Sequence, residues 1–158
     1  METPLRRPID HAALFHTGIV VDDLAAEAAR MGEQLGVTWH EGGGEVFLVT
    51  ADGAALTKTA YVLSKEGPHH LELVQSVPGT LYTPSPDPRG HHLGYWVDDV
   101  SAASAALEAQ GLPLDTSMCF GRADAPPICA YHRASTSDRA GFFVELVSTR
   151  MRKVLLPG

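Results

Sequence analysis

"HTGIVVDDL" at residues 16–24 recurs as "HLGYWVDDV" at residues 92–100, with His, Gly, Val and two Asp in the same relative places. Each copy runs into a segment that is rich in Ala, carries apolar residues at helical spacing and ends on Gly, at 25–36 and at 101–111. An Asp before such a segment can cap its first amides, and a closing Gly suits the left-handed end of a helix. Each copy therefore predicts a strand followed by a helix.

Both halves also end alike. "HHLELVQS" at 69–76 matches "GFFVELVST" at 141–149, each with a Glu among apolar residues. Between helix and final strand, each half offers two more extended stretches: "EVFLVTAD" (45–52) and "TKTAYVLS" (57–64), then "DTSMCFG" (115–121) and "ICAYHRAS" (128–135). The segments "EGGGE" (41–45) and "RADAPP" (122–127) are predicted as turns. The pattern in each half is thus β-α-β-β-β.

Length and charge limit the classes of function. The 158 residues, 44% of them hydrophobic, are enough for one domain, which we divide into module one (11–77), a linker (78–90), module two (91–149) and a C-terminal tail (150–158). A formal charge of −7 without a basic face argues against nucleic acid and anionic membranes as partners. A small-molecule partner is the expectation.

Cysteine content and hydropathy bear on location. The two cysteines, Cys119 and Cys129, have no CxxC or disulfide-scaffold spacing, so they are expected to be reduced thiols. No run of about 18 apolar residues occurs, and the first residues lack a signal-peptide core. A cytoplasmic protein is expected.

The repeat places two His and two Glu at matching positions: His16 and His92 start the first strand of each half, and Glu72 and Glu145 lie within the last. Side chains alternate along a strand, so the apolar faces can pack under the helices while these four point to the other side of the sheet. A buried carboxylate is costly without a partner. The four therefore predict a shared site for one divalent ion, and mixed N/O ligands suit Zn, Mn, Co, Ni or Fe(II).

The motifs H-x-G-x-x-V-D-D with "LELV" and "HHLGYWVDD" with "FVELV" resemble the vicinal oxygen chelate (glyoxalase/bleomycin resistance/dioxygenase) superfamily, from about His16 to Val147. They are most similar to its methylmalonyl-CoA epimerase and glyoxalase-like branch. The resemblance implies an α+β fold in which two tandem βαβββ modules form a cupped mixed sheet around a central metal. It also implies a homodimer, and some relatives complete the metal site across the interface.

The resemblance further implies proton transfer next to a carbonyl chelated by the metal, as in a lyase, isomerase or epimerase. Glu145 is then the first candidate for the catalytic base, because a metal-bound Glu acts so in glyoxalase I, and Glu72 is its counterpart for the opposite face. A Glu from the region of Glu41 and Glu45 acts as acid/base in the epimerase, although solvated turn carboxylates are the other interpretation of this pair. The substrate would be a carbonyl compound or a thioester.

Several residues are assigned less specifically. Strand alternation puts Val20, Trp96 and Phe143 on the site side, where they could line a substrate pocket or simply pack. His70 shares the face of Glu72 and could reach the same pocket as a hydrogen-bond donor. His91 is expected to be structural, because the repeat aligns His92 with His16. Only one of the neighbours Tyr131 and His132 can point inward, and the sequence leaves both open.

Two other functions remain open at this point. A non-haem Fe(II) dioxygenase would use two His and one carboxylate, and the second Glu would then occupy a position that oxygen or substrate needs. A metal-free protein that binds an antibiotic or natural product could use the same cup. Bleomycin-binding relatives generally lack the metal ligands, which argues against this last alternative.

Overall fold

The structure, a computed structural model, describes residues 7–83, 91–134 and 142–158. Its helices and strands are β1 (Leu14–Val21), α1 (Leu24–Leu35), β2 (Trp39–Thr50), β3 (Gly53–Ser64), β4 (His70–Gln75), β5 (His92–Val97), α2 (Val100–Ala109), β6 (Leu114–Cys119), β7 (Cys129–Arg133), β8 (Phe143–Ser148) and α3 (Arg152–Leu155). Short 3₁₀ turns precede β1 and α3. The mixed α+β class expected from the sequence is confirmed.

The strands form one closed barrel in the order β1-β4-β3-β2-β6-β7-β8-β5. β1 and β4 pair in parallel, as do β5 and β8, and antiparallel contacts β1–β5 and β2–β6 join the two halves of the chain. The expectation was a cupped mixed sheet. The β1–β5 and β2–β6 pairings, called seams below, close the sheet into a barrel. Each seam supplies backbone hydrogen-bond partners to strands that would otherwise be edge strands.

The two longer helices start as the Asp pairs predict. Oδ1 of Asp23 accepts a hydrogen bond from the amide of Ala26, and Oδ1 of Asp99 accepts one from the amide of Ala102, both at 3.0 Å. The first helix ends on Gly36 in the left-handed conformation, with φ 71°. Neither helix is long and apolar enough to cross a membrane, and the same holds for every helix in the described ranges.

Two buried clusters lie on opposite sides of the sheet. The interior of the barrel is filled by a cluster that includes Val20, Val46, Leu48 and Phe143. Outside the barrel, α2 packs Val100 and Leu107 against Ala130 of β7 and Leu146 of β8; each of these residues is buried. The apolar face of the last strand therefore lies under a helix, and its other face is left for Glu145.

The turn predicted at 41–45 is wrong. These residues lie inside the long strand β2 and pair with β3, Gly42 opposite Tyr61 and Gly44 opposite Thr59. The glycine run indicated a turn, but within the strand these glycines leave space for residues of the neighbouring strand β3. A Cβ on Gly42 would overlap the phenol of Tyr61, and one on Gly43, where φ is 126°, would overlap the backbone of Thr59.

The first residues of the predicted linker pack into the interior of the barrel. Leu81 and Tyr82 are buried in the interior cluster, and the segment is held by the amide of Val77, which donates to the carbonyl of Tyr82 at 2.7 Å. The rest of the linker, residues 84–90, lies outside the described residues.

Candidate metal centre

The four predicted ligands come from four adjacent strands, β4, β1, β5 and β8. In the strand register, Gly18 lies between Glu72 and His92, and Gly94 lies between His16 and Glu145. The two His–Gly motifs run antiparallel to each other, so the four side chains form two rows on the inner face of the barrel. One chain alone therefore brings together all four residues.

Each glycine of the repeat leaves space for the histidine of the other copy. A Cβ on Gly18 would overlap the imidazole of His92, and a Cβ on Gly94 would overlap the imidazole of His16, both far inside the 3.0 Å that real Cβ contacts respect. The two imidazoles thus occupy the space left by the glycines, and their Nε2 atoms are 3.1 Å apart.

The potential ligand atoms form a tight cluster, all within 4.8 Å of one another. Nε2 of His92 lies 3.0 Å from Oε1 of Glu72 and 3.1 Å from Oε2 of Glu145. Nε2 of His16 lies 2.9 Å from the same Glu145 oxygen and 3.8 Å from Oε1 of Glu72. Adjacent ligands on a divalent ion with bonds of about 2.1 Å are roughly 3 Å apart, so the spacing fits such an ion.

The burial of the cluster adds a second argument for a cation. His16 and His92 are 1% exposed, Glu145 4% and Glu72 7%. Among the described residues, Nδ1 of His16 has no hydrogen-bond partner, and Oε2 of Glu145 lies close to both imidazole Nε2 atoms without a well-aligned hydrogen bond. A buried acceptor without a well-aligned donor is costly, and a metal ion bound between the imidazoles and carboxylates would satisfy it.

The electrostatics of the four groups are coupled. Burial lowers the pKa of His92, but the nearby carboxylates of Glu145 and Glu72 outweigh it and hold this pKa well above its usual value. Burial raises the pKa of Glu145, but the imidazoles of His92 and His16 outweigh it and bring this pKa well below its usual value. In the metal-free chain, a proton on the imidazole of His92 therefore supplies part of the positive charge that a cation would bring.

A cavity of about 270 Å³ opens next to the cluster, and His16, Glu72 and Glu145 line it. Much of the remaining lining is apolar or phenolic and includes Tyr61, Val74, Tyr82, Met118, Ile128, Cys129 and Tyr131. A small ligand in this cavity would therefore lie against both the cluster and an apolar wall.

A family comparison agrees with this arrangement. Residues 15–127 match the model of the glyoxalase/bleomycin resistance protein/dioxygenase superfamily. The chain belongs to this superfamily. No functionally curated protein matches the chain significantly.

Two solved structures share the fold of this chain. Methylmalonyl-CoA epimerase of Mycobacterium tuberculosis is 22% identical, with a TM-score of 0.51 over 86% of this chain and 87% of that chain. A hypothetical protein of Bacillus halodurans is 14% identical, with a TM-score of 0.51 over 86% of this chain and 93% of that chain. At these identities the likeness concerns the fold.

The four residues predicted for a substrate pocket are not among the residues that line this cavity. Val20 and Phe143 are buried in the interior cluster, and Trp96 packs against that cluster, with its ring stacked on Phe15 at 3.8 Å between centroids. His70 bonds the carbonyl of Ser64 through Nδ1 at 2.7 Å. Much of the cavity wall comes instead from β2, β3, β6 and β7, which strand alternation alone does not reveal.

Sequence reasoning missed most of the polar groups of the cavity wall. Tyr61 and Tyr82 were not singled out, and Cys129 was taken as an ordinary thiol, although burial and the charge of Glu145 raise the pKa of this thiol well above its usual value. Burial and the nearby Glu72 raise the pKa of Tyr61 to about 12. Phenols on inward strand positions are the signal that could have indicated Tyr61.

The choice between Tyr131 and His132 is decided by the register of β7. Tyr131 pairs opposite Glu145 and lines the cavity. His132 is fully buried on the outer face under α2, where it bonds the carbonyl of Leu112 at 2.9 Å and the hydroxyl of Ser104 at 2.7 Å.

Other polar candidates have clear positions. His91 accepts a hydrogen bond from the amide of Val20 at 3.1 Å, in keeping with a structural role. Glu41 and Glu45 are exposed residues of β2 at the border of the cavity.

Part of the predicted C-terminal tail packs against the cavity. Met151 is buried and, with Val154 and Leu155, lines the cavity. The guanidinium of Arg152 lies 4.8 Å above the ring of Trp96. The last helical turn therefore closes one side of the cavity.

Proposed function

We propose that the chain is a divalent-metal-dependent enzyme that transfers a proton next to a carbonyl, as a lyase, isomerase or epimerase does. The observation that carries the proposal is the buried cluster of His16, Glu72, His92 and Glu145, with ligand atoms within 4.8 Å beside a cavity. These four residues would hold the ion. Zn, Mn, Co, Ni and Fe(II) all accept such a mixed set of imidazole and carboxylate ligands.

The bound ion would supply Lewis-acid stabilisation of negative charge on a carbonyl oxygen of the substrate. Glu145 is the base that takes the proton, since it is buried and lines the cavity. Glu72, on the other side of the cluster, returns a proton to the opposite face in an epimerase or serves as its partner in an isomerase. The apolar wall keeps water from competing for the proton.

We also propose that the substrate is a carbonyl compound or thioester small enough for its reacting part to enter a cavity of about 270 Å³. Superfamily membership and the fold shared with a methylmalonyl-CoA epimerase support this class. Each half of the chain, as a βαβββ module, contributes one His and one Glu, which fits the repeated motifs of the sequence.

Metal content tests the proposal. Protein purified without chelators or metal-affinity tags is expected to bind about one divalent ion per chain, as isolated or after addition of the five candidate metals. His92→Ala and Glu145→Gln should lose it, since each removes one ligand. His69→Ala is the matched control, because this exposed histidine bonds Thr17 outside the cluster.

Uptake by the wild type that the two ligand variants lose would direct the next assays to solvent deuterium exchange into acyl-CoA thioesters and 2-oxoaldehyde adducts. A wild type that binds none of the five metals would refute the metal-dependent enzyme and favour the metal-free binding protein instead.

A further inference from the structure

Two tyrosines of the cavity wall share a short hydrogen bond. The hydroxyl oxygens of Tyr82 and Tyr131 are 2.6 Å apart, and both rings are 2% exposed. The rings meet edge to face, with centroids 5.8 Å apart and an angle of 89°. Both residues line the cavity together with Glu72 and Glu145.

The pair is held rigidly from two directions. Tyr131 lies on β7 opposite Glu145, and its ring meets the ring of His92 edge to face at 5.4 Å. Tyr82 follows a tight turn in which its amide donates to the hydroxyl of Thr80 at 3.1 Å. A donor fixed by packing in this way needs little reorganisation when a ligand binds.

Counting protons shows that the pair has a donor to spare. Two phenols carry two O–H protons, and the bond between them uses one. Within the described residues, neither hydroxyl has another hydrogen-bond partner. A tyrosine hydroxyl, with a usual pKa of about 10, keeps its proton at neutral pH. One O–H therefore remains for an acceptor in the cavity.

We propose that the Tyr82–Tyr131 pair donates a hydrogen bond to a carbonyl or enolate oxygen of the ligand, next to the metal centre. The phenol that receives the mutual bond is polarised by it and becomes a stronger donor. The inference rests on the proposed function and narrows it: the cavity selects compounds whose oxygen atoms can be bound by a metal ion and a phenol together. The pair is a ligand-binding element separate from the four metal ligands.

The probe for this inference is acetohydroxamate, which chelates a divalent ion through two oxygens and offers them as acceptors. Co(II)-loaded wild type is compared with Tyr82→Phe, Tyr131→Phe and the double variant. Co(II) affinity is followed by visible absorption and acetohydroxamate affinity by calorimetry. Tyr95→Phe is the matched control, because the Tyr95 hydroxyl bonds His11 and the residue is not part of the cavity lining.

The double variant is expected to bind acetohydroxamate about tenfold more weakly with unchanged Co(II) affinity, as the loss of one hydrogen bond predicts. The single variant with the larger loss identifies the phenol that contacts the ligand. Equal acetohydroxamate affinity in the double variant and the wild type would overturn the inference.

A wild type that takes up no Co(II) would refute the metal centre separately. The pair is then judged by the near-ultraviolet tyrosine difference spectrum of the metal-free protein with acetohydroxamate. A signal that the double variant lacks supports the donor pair, and no signal in the wild type overturns it.

Discussion

Gly18 and Gly94 are as necessary to the cluster as the histidines that they face. Each is paired across the β1–β5 seam with the histidine of the other copy, and the missing Cβ is the space in which that imidazole lies. In each H-x-G motif, the glycine therefore makes room for the histidine of the other motif. This relation holds only because the two motifs run antiparallel.

We expect Gly18→Ala to weaken divalent-metal binding by about 10- to 100-fold, because the new methyl group forces His92 to rotate out of the cluster. Isothermal titration with Co(II) measures the affinity. Gly32→Ala is the control, since a Cβ there meets only the carbonyl oxygen of Val37, at 3.3 Å.

A double-mutant cycle separates this clash from a general loss of stability. The free energy of unfolding that Gly18→Ala removes should be smaller in the His92→Ala background, where no imidazole occupies the space. Equal losses in both backgrounds would contradict the proposed contact.

At the scale of elements, α2 covers the outer face of the strand that carries Glu145. Leu107 is 3% exposed and packs in the same cluster as Leu146 of β8, which is fully buried. The packing of the outer face of β8 against α2 holds the strand in place, so that Glu145 on its inner face stays within the cluster.

Leu107→Ala should lower the free energy of unfolding by about 2 to 5 kcal/mol, as is usual for the removal of a buried leucine side chain. Urea denaturation measures the loss. Leu35→Ala, at the end of α1, is the matched control, because its side chain is 68% exposed and the change should stay within about 0.5 kcal/mol. Similar losses for both variants would argue against the packing of α2 described above.

At the scale of the whole molecule, the metal centre connects the two halves of the chain. Its four ligands lie on β4 and β1 of the first half and on β5 and β8 of the second, and these strands are neighbours around the barrel. No partner subunit is required to complete the set of four. The homodimer implied by the family resemblance stays a prediction.

A bound ion should therefore stabilise the entire barrel. At a free metal concentration of about 100 times Kd, the gain is roughly 2.7 kcal/mol, which corresponds to about 5 to 10 °C in Tm for a domain of this size. Thermal unfolding of the wild type with Co(II) and with EDTA measures it. His92→Ala should show the same Tm in both conditions, whereas an unchanged Tm in the wild type would contradict an ion bound at the cluster.

The sequence by itself determined the order of strands and helices, the Asp caps and the four residues of the cluster. These follow from local chemistry: side chains alternate along a strand, carboxylates cap helices, and a repeat places equal residues in equal positions. The face on which His16 and His92 lie could thus be predicted from "HTGIVVDDL" and "HLGYWVDDV" alone.

The tertiary structure alone decided how the barrel closes, where the cavity lies and which side chains line it. Gly42 looked like part of a turn because its partner Tyr61 is distant in the chain, and Tyr82 looked like linker because its partner Tyr131 lies in the other half. Local propensity carries no information about such partners. Gly42 meets Tyr61 only when β2 pairs with β3. Tyr82 meets Tyr131 only when the two halves join through the β1–β5 and β2–β6 pairings, which depends on the packing of the whole chain.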